Sequence, residues 1–189
     1  AKNRCFFKIV GPLKKDIGIP KKTEAKYQQR FLYVDGFHDL GNGIYLIPHT
    51  TPGLEERGRH AHMYCEENGR IVADRFAHEQ SVVFRGEEGL VVINCCSHGG
   101  VENIIPEVKK AFAAEGDVKI RAFFGGFHMM GTGGPDSCSF SEQEVKEVGK
   151  QLFGDTVFYS GHCTGTIAYP WLKDVLGEQL QELHSGLQV

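Results

Sequence analysis

The chain has 189 residues, 41% of them hydrophobic and 24% charged, which excludes disordered and fibrous classes and leaves room for one domain with a sizeable core. Its 21 Lys and Arg against 24 Asp and Glu give a net charge of -3, so no global field draws it to nucleic acid or an anionic membrane. No run approaches the roughly 18 apolar residues of a membrane helix, and no secretory leader is legible, so the chain reads as soluble and cytoplasmic with a small-molecule partner.

Six cysteines form no CxxC pair, and free thiols are the expectation in a reducing compartment. Nine histidines exceed what a core needs, and most of the functional argument concerns their placement. Residues 1-30 are basic and broken by Gly11-Pro12 and Pro20, and read as a loop-rich lead. Residues 31-79 read as a meander followed by a long excursion. Gln29 to Val34 and Gly43 to Ile47 are its β-rich runs, and the polar stretch 48 to 70 could lie over a site.

From residue 80 to 189 the pattern resolves into three strand-turn-helix units. Ser81-Val82-Val83-Phe84 and Leu90-Val91-Val92-Ile93 predict a hairpin whose second strand is apolar enough to be buried on both faces. Val101, Ile104, Ile105, Val108 and Phe112 then recur at helical spacing. Lys119 to Phe124 predicts the next strand, and Ser141-Glu142-Gln143-Glu144 opens a helix with a capping box. Thr156 to Tyr159 is the third strand, followed by a turn and a helix through Trp171, Leu172 and Leu176. This is an α/β chain.

Each of the three strands ends in a histidine: His98, His128 and His162. Ligands of α/β sheets bind at the carboxyl ends of strands, so one fold brings three imidazoles to one rim, the arrangement of a hydrolytic zinc site. Cys95 and Cys96 read as a small buried pair, and Cys163 as a thiol at a helix start. His38, His49 and His184 have no partner pattern and read as surface residues.

The segments Asp74 to Gln80, Asn94 to Ile104, Gly125-Gly126-Phe127-His128 and Gly161-His162-Cys163-Thr164-Gly165, with Asp16 to Pro20 before them, resemble the metallo-β-lactamase-fold hydrolases. The resemblance is greatest to the dihydropteroate-synthase-related branch, which includes ribofuranosyl-aminobenzene phosphate synthases. It implies a metallo-β-lactamase-like αββα sandwich and a divalent metal, zinc first, with manganese or iron as alternatives. It further implies that His98 and His162 are metal ligands, with His128 at the place of a bridging carboxylate, as ligand or substrate contact. Glu79 and Gln80 become candidates for contacting substrate or ordering the site, and Thr164 for holding an anionic group such as phosphate.

The family's HxHxDH motif is absent. His60-Ala61-His62 has only the HxH spacing, within the excursion, and reads as surface. The expectation is therefore a sandwich whose N-terminal half is missing. It would be a metal-dependent hydrolase of a small anionic or phosphorylated substrate, inactive or impaired in this form. The alternative is a non-catalytic remnant or split-enzyme subunit. Such a chain would fold as a homo-oligomer or with a partner supplying the other half, because an open apolar sheet face drives association.

Overall fold

A computed structural model describes residues 5-189. In chain order its strands are β1 (Phe6–Val10), β2 (Leu13–Asp16), β3 (His38–Gly41), β4 (Ile44–Pro48), β5 (Met63–Glu67), β6 (Arg70–Ala73), β7 (Gln80–Gly86), β8 (Gly89–Ile93), β9 (Ile120–Phe124), β10 (Val157–Ser160) and β11 (Leu180–Glu182). The helices are α1 (Lys21–Lys26), α2 (Glu55–His60), α3 (Val101–Ala111), α4 (Glu142–Leu152) and α5 (Ala168–Leu176). Two sheets result. One is four-stranded and antiparallel, in the order β2-β1-β5-β6; the other is seven-stranded, in the order β11-β10-β9-β8-β7-β4-β3.

The larger sheet positions the site. β8, β9, β10 and β11 run parallel and follow one another in space as in sequence, so the intervening α3, α4 and α5 all return over the same face. That face holds the core: Val83, Val92, Phe123 and Phe158 from the sheet meet Val108, Val145 and Leu172 from the helices, and none of these seven is more than 1% exposed. The Ser141 hydroxyl accepts from the Glu144 N–H while the Glu144 carboxylate accepts from the Ser141 N–H, the reciprocal cap expected from the sequence.

Several expectations are corrected. The basic lead is not loop: Gly11-Pro12 is the turn of the β1-β2 hairpin, and β1 also pairs with β5. Its first four residues lie outside the described residues. The run Gln29 to Val34 forms no strand: Gln28–Arg30 is a short 3-10 turn and residues 31-34 are irregular, since no strand among the described residues offers this backbone a ladder. The excursion contains α2 and the β5-β6 hairpin, closed by Asn68-Gly69 with φ of 50° and 72°, a tight-turn signal in an otherwise polar stretch. Finally, β8 is buried on one face only. Leu90 and Val92 face the core, whereas Val91 is half-buried and Ile93 is 43% exposed.

Candidate functional site

Because β8, β9 and β10 are adjacent and parallel, the turns leaving their carboxyl ends lie side by side. Backbone hydrogen bonds lace them together. Gly126 N–H donates to Cys95 O at 2.8 Å, and the Met129 and Met130 N–H groups both donate to Cys163 O, at 3.0 and 2.9 Å. Ser97 and His128 sit at φ of 53° and 51°, a left-handed conformation that costs non-glycine residues energy and that recurs at functional turns.

The most heavily bonded group at this rim is the Glu79 carboxylate, just before β7. One oxygen accepts from His98 N–H at 2.8 Å and lies 3.1 Å from His98 Nδ1; the other accepts from Gly99 N–H at 2.9 Å and lies 3.1 Å from His49 Nδ1. Burial opposes the negative charge, but the His49, His98 and Gly99 hydrogen bonds outweigh it and hold the carboxyl well below its usual range. Burial likewise opposes charge on His98. Its hydrogen bonds with Cys96 and Glu79 prevail and raise its pKa to about 9, so the ring carries a proton at neutral pH.

The His98 ring stacks on buried Phe76, 5.3 Å between centroids, and meets the His128 ring edge-on at 4.3 Å. Burial lowers the pKa of His128, which favours a neutral ring, and its Nδ1 is buried without a hydrogen-bond partner among the described residues. Beside it lie two thiols. A ligand atom each of Cys96, His128 and Cys163 falls within 4.8 Å of the others. Hydrogen bonding with Cys96 lowers the Cys163 pKa, and that with Cys163 raises the Cys96 pKa. Gly126 makes room for Cys163, because a Cβ there would fall 2.5 Å from its Sγ.

Two cavities meet at His98. A small one, about 20 Å³, is lined by His98 and His128 with Lys8, Arg57, His60 and Phe140; the other, about 340 Å³, is lined by His98 with Phe6, Ile19, Tyr33, Met63 and His78. The larger is of the size that takes a small ligand. From the excursion, Arg57, His60 and Ala61 line the small cavity. Gly58 presses α2 onto the backbone of Asp74, where a Cβ would come 2.1 Å from the carbonyl oxygen, and so delivers Arg57 and His60 to the rim. Arg57 Nε donates to His98 O at 3.1 Å and its guanidinium pairs with Glu102, bracing the turn into α3.

The structure thus brings His98, His128 and Glu79 together. His162 lies elsewhere. It is exposed, at φ of 50°, and lines a separate cavity of about 370 Å³ with Pro135, Thr166, Tyr169 and Glu182. Gln80 is half-buried at the first position of β7. Thr164 is fully buried, its hydroxyl accepting from Phe127 N–H at 3.0 Å and lying 2.6 Å from the Ser160 hydroxyl, so it ties the β9 and β10 turns together. Two sequence readings are corrected. His49 is not a surface residue: it is 3% exposed, bridging Glu79 and, through Nε2 at 2.9 Å, Ser81. Cys95 is exposed rather than half of a buried pair. The role of Cys163 was legible only as a thiol at a turn. The signal that could have found it is that Cys96, His128 and Cys163 occupy the turns of three successive parallel strands.

The donor set suits a metal. Two sulfurs and an imidazole with an unsatisfied buried nitrogen are zinc-type ligands, and a neutral His128 is the form that binds. No carboxylate joins them, and HxHxDH is absent from the sequence.

No family model matches the sequence. Over 124 residues the chain is 32% identical to the 7,8-dihydropterin-6-methyl-4-(β-D-ribofuranosyl)-aminobenzene-5'-phosphate synthase of Methanocaldococcus jannaschii, covering 66% of this chain and 39% of that protein. A solved metal-dependent hydrolase of the β-lactamase superfamily superposes with a TM-score of 0.66 at 27% identity, over 84% of this chain and 57% of that one. The chain therefore spans well under two thirds of the length of either.

Proposed function

From a chain that has the metallo-β-lactamase fold and resembles the ribofuranosyl-aminobenzene phosphate synthases, we propose a metal-dependent hydrolase acting on a small anionic or phosphorylated substrate. The observation that carries the proposal is the position of His98. It stands between the 340 Å³ cavity and the small cavity shared with His128, beside the zinc-type donors. A divalent metal held there by His128 and its sulfur neighbours would lower the pKa of a bound water and so supply hydroxide near neutral pH.

The chain's own residues account for the rest. Glu79 fixes the His98 ring through Nδ1 and the adjoining backbone N–H, leaving Nε2 toward the cluster. Held in this way beside the cluster and at the edge of both cavities, the His98 ring is placed to hydrogen-bond a leaving or anionic oxygen of the substrate. Lys8 on the lining adds positive charge for a phosphate. Phe6, Ile19 and Met63 supply apolar lining for the remainder of the substrate, beside the carboxylates of Glu24 and Asp74.

The test is turnover of p-nitrophenyl phosphate and its diester by the chelator-stripped chain reloaded in turn with zinc, manganese and iron. The expected result is metal-dependent release of nitrophenol that falls by at least about 100-fold in His98→Ala. Absence of turnover with every metal, or turnover unchanged in His98→Ala, would refute the reading.

A second reading is favoured by a separate observation. The outward face of the seven-stranded sheet carries Val82, Phe84, Val91, Ile93, Phe124 and Tyr159, all apolar or aromatic and none of them buried. On this reading the chain is a non-catalytic subunit that self-associates through that face.

A further inference from the structure

We propose that Cys96, His128 and Cys163 form a thiolate metal site selective for zinc, with two sulfur ligands, one imidazole and a fourth position left to water or substrate. This deepens the hydrolase reading by naming the ligands, and it is tested without turnover. Around a tetrahedral zinc with Zn–S bonds of about 2.3 Å, two sulfurs stand about 3.8 Å apart. The three donors lie within 4.8 Å of one another without any metal, so an adjustment of about 1 Å closes the site.

Three features show that the cluster is built rather than accidental. The turns are fixed to one another through the Gly126, Met129 and Met130 N–H groups, so the donors cannot drift independently. Gly126 leaves space that any side chain would take from Cys163 Sγ. His128 Nδ1 is buried with no hydrogen-bond partner among the described residues, a cost that an ion bound through that nitrogen would remove.

Charge selects the occupant. Two thiols give up their protons to solvent as the dication enters, and the resulting site is neutral, which suits a half-buried place with no carboxylate among its donors. Soft sulfur ligands favour zinc over manganese and magnesium, which prefer oxygen. Cys163 also takes the place that sequence alone gave to its neighbour. His162, one residue earlier, lines a different cavity and is exposed.

The experiment is an anaerobic titration of the reduced, chelator-stripped chain with cobalt(II), followed by zinc(II). One equivalent of cobalt should produce an intense near-ultraviolet thiolate-to-cobalt band that zinc then bleaches. Cys96→Ser and Cys163→Ser should each lose about half of that band, as one of two sulfur ligands is removed. Each should also weaken zinc binding by more than the roughly tenfold that even an outer-shell partner is worth. His162→Ala should match the parent. The serine exchanges are close to isosteric, and a metal-free melting curve like the parent's shows that each variant is folded. Absence of the sulfur band, its persistence at full strength in both serine variants, or its loss in His162→Ala overturns the site. A sulfur-bound metal without phosphoester turnover would instead leave this site standing and remove the hydrolase reading.

Discussion

The two faces of the seven-stranded sheet are built from nearly the same amino acids and meet opposite fates. On the inner face, Val83, Val92, Phe123 and Phe158 are sealed beneath α3, α4 and α5. On the outer face, their immediate neighbours Phe84, Val91, Ile93, Phe124 and Tyr159 stay half-buried or exposed, although Phe124 and Tyr159 stack on each other at 4.6 Å. Composition alone therefore does not say where water is excluded. The helices do, and all three lie on one side because β8 to β11 advance in a single direction across the sheet. The candidate site sits at the strand ends, where the sealed side supplies rigid turns and the smaller sheet, through Phe6 and Met63, supplies a wall of the larger cavity.

The largest effect is expected where the sealed face is cut. Phe158→Ala empties a fully buried position between Phe123 and Phe127 and should cost about 3–5 kcal/mol, read as a lower midpoint in urea unfolding. Phe84→Ala on the open face should cost under about 1 kcal/mol in the same experiment, since most of its surface gain on folding is not realised. Equal costs for the two would show that the faces are equally covered in solution, and the contrast drawn here would fail.

The next effect falls at the rim, where charge rather than apolar area holds the turns. Glu79→Ala removes the acceptor for His49, His98 and Gly99 and leaves these groups without it, at a cost of about 3 kcal/mol. Glu79→Gln, which keeps an acceptor, should cost less. The folded carboxyl titrates below its unfolded value of 4.5, so its contribution is fully present above that pH and drains away as the pH falls further. The parent should therefore lose stability below about pH 4.5 more steeply than Glu79→Gln does, measured as melting temperature against pH in metal-free protein. Parallel curves would mean that the carboxylate is not held as described.

What the sequence made legible divides along the same line. The three strand-turn-helix units could be read because strand and helix periodicities each repeat there and Ser141 caps α4. The smaller sheet was hidden because its strands are only four or five residues long and none alternates cleanly, from FFKIV in β1 to the wholly exposed LKKD of β2. The clustering of His98 with His128 follows from strand order alone. Which side of a turn a side chain takes does not, and that is why Cys163 faces the cluster while His162 does not. The burial of His49 depends on Glu79, 30 residues away, and no local pattern carries such a contact.

The smallest change in stability should accompany the change that is most informative about the open face. Val91 and Ile93 were read from sequence as buried on both sides of β8, and the reading fails only for the outward side. A contiguous apolar face of this kind invites association, because covering it removes surface from water at about 25 cal/mol per Å². A lysine there should repel a second copy yet barely disturb the monomer, since at 43% exposure Ile93 leaves room for an ammonium group to reach solvent along its own stem. Ile93→Lys should therefore shift the molecular mass seen by light scattering from oligomer to monomer while moving the urea midpoint of the monomer little. A parent already monomeric at high concentration would mean that the half-buried aromatics satisfy the face by themselves. An oligomer unchanged by Ile93→Lys would place the contact on another surface, with exposed Leu13 and Leu32 in the N-terminal part the next positions to substitute.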